Sequence, residues 1–310
     1  MLKIRILGSA AGGGFPQWNC NCENCHQAWQ NSPNAQARTQ SSLAVSVDAD
    51  NWFLLNASPD IRQQIQQNPC LHPKKNKRHS PIKGVILTNA DVDHIGGLLT
   101  LRESQPLSLY ATKRVLNVLH TNSLFNILNP DYVIRRELLP DQKIELCFHD
   151  TQASGIEIET FPVPGKVALY LEDEKAGHNF GSVPEDTVGI KVSSINSGKS
   201  FYYLPGCAAL PDDLGERING SDLVFFDGTT WIDEEMIKTG CGIKTGQRMG
   251  HMCMDGENGS IHAFQRLDIK RKIFIHINNT NPVLLENSAE RTIVKNAGWE
   301  IGYDTMEINL

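Results

Sequence analysis

Short apolar runs recur along this chain, separated by clusters of glycine, proline, asparagine and aspartate, and the pattern predicts β-strands joined by turns. The predicted strands cover residues 4–8, 43–47, 52–56, 85–88, 107–111, 156–161, 187–192, 201–204, 223–226 and 273–277. Segments with apolar residues on one helical face predict helices over residues 60–67, 113–122, 211–218 and 289–297. The last helix is expected to follow Ser288, a good N-cap, and to stop at Gly298.

The order of these elements predicts a mixed sheet architecture. Strands of the first half form antiparallel pairs with few helices, and the second half alternates strands and turns. The polar segments 69–81 and 171–186 are typical of loops within a domain rather than of interdomain linkers. The pattern therefore predicts a single domain over residues 1–310, of the α/β or α+β class.

Composition and charge narrow the range of partners. The chain has 310 residues and a hydrophobic content of 40%. Its net charge of -6 argues against nucleic acid or an anionic membrane as the main partner. Its apolar runs are shorter than the ~20 residues of a membrane helix, so we expect no stable membrane insertion. The N-terminus does not match a signal peptide, which predicts a cytoplasmic protein. In that compartment the eight cysteines are expected to be thiols or metal ligands rather than disulfides.

Residues 88–94 (TNADVDH) form the strongest candidate for a metal site. They follow the buried strand 85–88 and precede Gly96 and Gly97, which open a helix. The side chains of Asp93 and His94 therefore lie at the carboxyl end of a strand, where carboxylate and imidazole ligands can hold a divalent cation. An Asx-rich turn in solvent is the alternative interpretation.

Three thiols within six residues, Cys20, Cys22 and Cys25, predict a structural zinc site. Redox thiols and unliganded packing are the alternatives, although the βαβ context of a redox C-x-x-C motif is missing here. The fourth ligand is not evident, because His26 directly follows Cys25 and is badly placed to bind the same metal. The other cysteines, at positions 70, 147, 241 and 253, are interpreted as ordinary small buried side chains.

Two histidines extend the candidate active site. His276 follows a buried apolar run, and with Asp93 and His94 it gives two imidazoles and one carboxylate. Alone, a histidine in that position is more often a hydrogen-bonded core residue. His251 lies in the glycine-punctuated segment 246–252, which suits a loop over a cleft. It is a candidate acid/base or supporting group, with an ordinary loop histidine as the alternative.

These segments together resemble the metallo-β-lactamase superfamily, with motifs at residues 56–60, 88–94, 163–166 and 204–207 and a final histidine at His276. The resemblance implies an α/β fold, an αββα sandwich with the site at one edge of two facing sheets. The positions of the first metal site are held by Asn89, Asp91 and Lys166, and the bridging aspartate is replaced by Cys207. An amide and an ammonium are poor metal ligands, so this first site is expected to hold no metal.

The second site keeps its terminal ligands Asp93, His94 and His276. Two histidines and a carboxylate with open coordination positions suit non-haem Fe(II) acting on O₂. Two-metal hydrolysis instead requires a second cation. The residues therefore favour oxygen chemistry over hydrolysis.

Segments 8–20, 89–94 and 248–251 resemble one branch of the superfamily more closely, the branch that acts in pyrroloquinoline quinone (PQQ) biosynthesis. This implies an Fe(II)- and O₂-dependent hydroxylase that acts on the tyrosine ring of a cross-linked glutamate–tyrosine precursor, with other PQQ biosynthesis proteins as partners. Asp91 and His251 are then the candidate catalytic groups. Lys166 and Arg248 are the candidates for binding substrate carboxylates, unless Lys166 pairs with Asp91.

Two other functions stay open at this point. The same branch has been linked to carrying PQQ or its precursor toward the periplasm. The cysteine motif also resembles that of zinc-dependent cyclic phosphodiesterases, in which a histidine three positions after the last metal histidine completes the zinc site. The corresponding residue here is Asn279, which weakens that comparison.

Overall fold

Two mixed β-sheets lie face to face in the computed structural model, which describes residues 1–177 and 179–310. The strands are β1 Lys3–Gly8, β2 Ser42–Ser46, β3 Trp52–Leu55, β4 Ile82–Ile86, β5 Leu107–Thr112, β6 Val133–Leu138, β7 Lys143–Cys147, β8 Ala153–Pro162, β9 Val188–Ser194, β10 Ser200–Leu204, β11 Val224–Asp227, β12 Lys272–Ile275, β13 Trp299–Ile301 and β14 Glu307–Asn309. The α-helices are α1 Glu23–Trp29, α2 Ile61–Gln67, α3 Val92–Ile95, α4 Lys113–Thr121, α5 Asp212–Ile218, α6 Glu235–Lys238, α7 Gly246–Met249, α8 Ser260–Ala263 and α9 Ala289–Asn296.

Each sheet combines an antiparallel part with a parallel part. The first sheet has the order β14-β1-β2-β3-β4-β5-β6, and β3 to β6 run parallel. The second has the order β13-β12-β11-β10-β9-β8-β7, and β10 to β13 run parallel. Parallel strands end at the same edge of a sheet, so residues that follow β11 and β12 lie at one edge of the second sheet, and residues that follow β4 lie at one edge of the first.

Alternation of side chains along the strands builds three apolar layers. Ile4, Phe53 and Phe225 belong to the layer between the sheets. The outer face of the first sheet packs against α2 and α4, and the outer face of the second packs against α1, α5 and α9. This arrangement confirms the predicted αββα sandwich.

All the predicted strands and helices form, with their ends shifted by a few residues. Ser288 caps α9 as expected, because its hydroxyl accepts a hydrogen bond from the Arg291 amide at 3.1 Å. The helix expected to open at Gly96 is observed as α3, which ends at Ile95, and the sequence pattern missed α1, α6, α7, α8, β6, β7, β13 and β14. These elements are short or lie at sheet edges, where one flank is solvated and apolar alternation is weak. The predicted loop 171–186 contains short 3₁₀ turns, and its residue 178 lies outside the described residues.

No helix within residues 1–177 and 179–310 has both the length and the apolar character that crossing a membrane requires.

Candidate metal centres

The candidate active-site ligands follow the ends of two parallel strands from different sheets. Asp93 and His94 lie in α3, which begins after the loop that follows β4. His276 directly follows β12 and has a φ of 56°, a left-handed conformation that a histidine adopts only where its surroundings fix it. The next residue, Ile277, forms a parallel bridge with Ala10, so β12 is joined here to the chain that leaves β1. The site therefore lies where the two sheets meet.

The three ligand atoms converge. The Asp93 Oδ2 atom lies 3.1 Å from His276 Nε2 and 3.6 Å from His94 Nε2, and the three groups can share one ion. The His94 Nε2 atom is buried and has no hydrogen-bond partner among residues 1–177 and 179–310. A buried polar atom without a partner is costly in a folded protein, and a bound cation would satisfy it. This ligand set therefore fits a single divalent cation.

Hydrogen bonds behind the ligands fix the histidine tautomers. His94 Nδ1 donates to the Asn89 amide oxygen at 2.7 Å, which leaves Nε2 free to bind a metal. His276 Nδ1 lies 2.9 Å from the Thr229 hydroxyl, which in turn donates to Asp227 Oδ1 at 2.7 Å. Thr229 and Asp227 were not identified from the sequence. The sequence pattern could have identified them, because Asp227 ends β11 and Thr229 follows it, much as residues 88–94 follow β4.

Asp227 also orients His251. His251 Nδ1 lies 2.6 Å from Asp227 Oδ2, and its ring stacks on the ring of His276 with the centroids 5.1 Å apart. Asp227, His251 and His276 are close enough to hold an ion. However, the Asp227 oxygens already accept from His251, Thr229 and the Cys207 amide, so we interpret this group as a hydrogen-bond relay.

Burial and mutual charge shift the pKa values of this site. Burial lowers the pKa of His94 to about 4, so its imidazole is neutral at neutral pH. Burial, together with the charge of Asp93, raises the pKa of Asp91 to about 6. Burial opposes ionisation of Asp93, yet His94 and His276 hold its pKa well below the usual range. For His276 burial is outweighed by the hydrogen bond and charge of Asp93, which raise its pKa.

These shifts predict how metal affinity depends on pH. The pKa of His276 lies above its usual 6.5, so a metal must displace a proton from its ring below that pKa. His94 is already neutral above pH 4 and adds no further proton. Apparent affinity should therefore rise about tenfold per pH unit up to the pKa of His276 and then level off, with about one proton released.

Zn²⁺ titration against a competing chelator between pH 5.5 and 8 would measure this dependence. His94→Ala protein serves as the control, because it isolates any binding at the cysteines. An affinity that is flat below pH 7, after subtraction of that control, would contradict the predicted proton release.

Two of the three residues at the first-site positions, Asn89 and Lys166, are engaged elsewhere. The Asn89 oxygen accepts from His94, and the Lys166 ammonium lies 2.8 Å from Glu172 Oε1. Asp91 lines the cavity but belongs to none of the groups that could hold a metal within the described residues. Cys207 is fully buried in the apolar layer outside the second sheet, and its thiol donates to the Ala209 carbonyl at 3.1 Å. Burial raises the pKa of that thiol, which further disfavours a thiolate ligand.

Lys166 and Arg248 share one carboxylate partner. Arg248 makes two hydrogen bonds to Glu172, of 2.7 and 3.1 Å, and its guanidinium carbon lies 3.7 Å from the centroid of the Phe180 ring. These two bonds and the ammonium of Lys166 lower the pKa of Glu172 to about 2, although burial alone would raise it. Lys166 lines the cavity, and its ion pair is with Glu172. The alternative interpretation, in which Lys166 pairs with Asp91, is therefore wrong.

A second cluster contains four thiols instead of the three predicted. The Sγ atoms of Cys20 and Cys241 are 4.0 Å apart, and these two residues and Cys22 could hold one ion. Cys25 is not one of those three ligands, but the Asn279 amide lies 3.1 Å from Cys20 Sγ and 3.4 Å from Cys25 Sγ, so the Cys25 thiol lies beside the group. All these cysteines are free thiols. The interpretation of Cys241 as an unremarkable side chain is wrong, and Cys241 is the candidate fourth zinc ligand.

A cavity of about 300 Å³ opens onto the active-site ligands. Its wall contains the metal ligands, the polar groups Asp91 and His251, two lysines, and the apolar side chains of Leu169 and Met249. It combines metal ligands, candidate acid/base groups and an apolar surface, which is the composition expected of a small-molecule site.

Comparison with known proteins identifies the family to which this architecture belongs. Residues 51–277 match the family model described as beta-lactamase superfamily domain. Coenzyme PQQ synthesis protein B of Xanthomonas campestris pv. campestris (strain B100) is 49% identical over 310 residues, with 100% of both chains covered. The crystal structure of Zn²⁺-bound PqqB from Methylobacterium extorquens is 49% identical and superposes with a TM-score of 0.94, covering 99% of this chain and 100% of that one. The chain therefore belongs to the β-lactamase superfamily and, within it, to the family of coenzyme PQQ synthesis protein B.

A more distant structure is similar in fold alone. A diphosphatase of the PhnP family superposes with a TM-score of 0.68 at 20% identity, covering 100% of this chain and 98% of that one.

Proposed function

We propose that this chain acts in PQQ biosynthesis as a mononuclear Fe(II)- and O₂-dependent hydroxylase of the tyrosine ring in a glutamate–tyrosine precursor. The observation that carries the proposal is the surviving set of Asp93, His94 and His276 beside a first site where Asn89 and Lys166 are engaged elsewhere. Two histidines and one carboxylate leave coordination positions open, as non-haem Fe(II) oxygenases require. Family membership supports the pathway.

The arrangement disfavours two-metal hydrolysis. That chemistry clamps the attacking and leaving oxygens between two cations. Here the amide of Asn89 orients His94, and the ammonium of Lys166 brings positive charge to the wall where a second cation would be required. The donor chemistry of these residues therefore favours one metal.

Bound iron would supply the activation of O₂ for insertion of one oxygen atom into an aromatic C–H bond. The other oxygen atom leaves as water, so each hydroxylation requires two electrons from an external reductant. The protein's own side chains would then move the protons that aromatisation releases. Asp91 reaches the cavity with a pKa raised by burial to about 6, so its carboxylate can accept a proton near neutral pH. His251 turns its Nδ1 toward Asp227, which would stabilise the imidazolium when Nε2 takes a proton.

Lys166 is proposed to bind a substrate carboxylate, and Arg248 is proposed to position Lys166 through Glu172, the carboxylate that both contact. Their two positive charges and the single negative charge of Glu172 leave a net charge of +1 beside the cavity. Lys166 faces the cavity and can donate further hydrogen bonds to a substrate carboxylate. Arg248 holds Glu172 with a planar fork and thereby fixes the position of Lys166.

Oxygen uptake is the decisive test of this proposal. Protein loaded anaerobically with Fe(II) and supplied with a reductant such as ascorbate should consume O₂ when the precursor is added, and mass spectrometry should find oxygen added to the tyrosine ring. The control is the same protein carrying Zn²⁺, which cannot activate O₂. Product formation at an unchanged rate without iron would refute the hydroxylase.

Two further assays on the same protein test the other candidate functions. Stoichiometric binding of PQQ or its precursor without O₂ consumption would indicate a carrier. Hydrolysis of bis-nitrophenyl phosphate that is insensitive to removal of O₂ would indicate a phosphodiesterase.

A further inference from the structure

Residues 239–245 join the thiol cluster to the wall of the metal cavity. This segment runs from α6 to α7 and carries Cys241, whose Sγ lies 4.0 Å from that of Cys20. At its other end Thr245 caps α7, because its hydroxyl accepts from the Arg248 amide at 3.2 Å. Lys244 lies between these two fixed points and lines the cavity. Its backbone is therefore held on both sides, within a few residues.

The two lysines of the cavity differ in their partners. The ammonium of Lys166 is 2.8 Å from a Glu172 oxygen. Lys244 is partly buried, and it takes part in none of the ion pairs formed within residues 1–177 and 179–310. An ammonium at a cavity wall without a carboxylate partner attracts an anionic group of the ligand.

The rest of the wall makes such a cation necessary for an acidic ligand. Asp91 and Asp93 contribute carboxylates to the same cavity and would repel a carboxylate that approached without compensation. Lys166 and Lys244 supply two cations to that wall, while Leu169 and Met249 supply apolar surface for a ring. This matches an aromatic molecule that carries at least two separated carboxylates.

We propose that Lys244 is a specificity-determining residue that binds one substrate carboxylate, while Lys166 binds another. The inference rests on the proposed function for the nature of the substrate. It adds a second carboxylate receptor and explains why the segment that carries it is tied to the thiol cluster.

Anaerobic calorimetric titration of the metal-loaded protein with the glutamate–tyrosine precursor tests this assignment. Lys244→Met should weaken binding by about 10- to 100-fold, the usual worth of a hydrogen bond to a charged group. Lys244→Arg should stay within a few-fold of the parent. Lys238→Met is the matched control, because Lys238 is an exposed residue of α6 that pairs with Glu234. Metal content and thermal midpoint should be unchanged in all three variants.

A methyl-ester form of the precursor separates charge recognition from a structural effect. The parent and Lys244→Met proteins should bind the ester with similar affinity, because the carboxylate that Lys244 recognises is gone. In turnover of the acid precursor, Lys244→Met should raise KM and leave kcat nearly unchanged. Equal binding of the acid precursor by parent and Lys244→Met would overturn the role of Lys244 and leave the hydroxylase intact. If the parent itself does not bind the precursor, the proposed function fails and this inference fails with it.

Discussion

Replacing His94 or His276 by alanine is expected to remove the active-site metal and abolish precursor-dependent O₂ uptake, while the chain stays folded and keeps zinc at its thiols. Each histidine supplies one of three ligand atoms that converge on one point. Losing a direct ligand should cost more than the about 10- to 100-fold in metal affinity that is typical of losing a supporting hydrogen bond. Elemental analysis after Fe(II) loading and desalting would measure the loss.

Two further variants calibrate this result. Thr229→Val removes the hydroxyl that lies 2.9 Å from His276 Nδ1, so it should weaken metal binding by about 10- to 100-fold without abolishing it. His120→Ala changes an exposed histidine of α4 and should leave iron content and turnover at the parent level. If His94→Ala protein retains one iron per chain and normal turnover, the metal is held elsewhere.

The proximity of the candidate ligands was predictable because each follows an apolar strand. A strand that ends in polar residues delivers them to the carboxyl edge of its sheet, so Asp93, His94 and His276 could be grouped before their distances were known. The predicted strand 273–277 nevertheless extends past the observed end of β12. The left-handed backbone of His276, which directs the ring into the site, depends on the junction between the sheets.

Other features required the three-dimensional arrangement. Glu172 neutralises part of the charge of Lys166 and Arg248 from a loop whose sequence looks like solvent-exposed polar chain. Cys241 stands 216 residues after Cys25, and no local spacing connects them. Cys207 occupies the position of a bridging ligand, but its apolar surroundings hold the thiol in the core. Motif position thus predicted where the chain passes the site, whereas packing decided which side chains enter it.

Cys241→Ser is expected to lower the thermal midpoint and zinc content as much as Cys22→Ser does. A structural zinc contributes folding free energy directly, with apparent values of about 10–16 kcal/mol in zinc-finger peptides, and a hydroxyl replaces a thiolate poorly. Loss of one of four ligands should therefore lower the midpoint by several degrees or more. Cys253→Ser is the matched control, because that thiol donates to the Asp255 carbonyl and is not part of the thiol cluster, so both quantities should stay near the parent values.

Chelation distinguishes a metal effect from a packing effect at these thiols. If zinc stabilises the fold, a strong chelator should lower the parent midpoint and leave Cys241→Ser nearly unchanged, so that the two proteins converge. A difference that persists in full without metal would mean that Cys241 acts through packing, where its Sγ contacts Cys20. The folded fraction of Cys241→Ser should still bind iron, because Asp93, His94 and His276 belong to a separate ligand set. Loss of iron with an unchanged midpoint would instead assign the thiols to the active site.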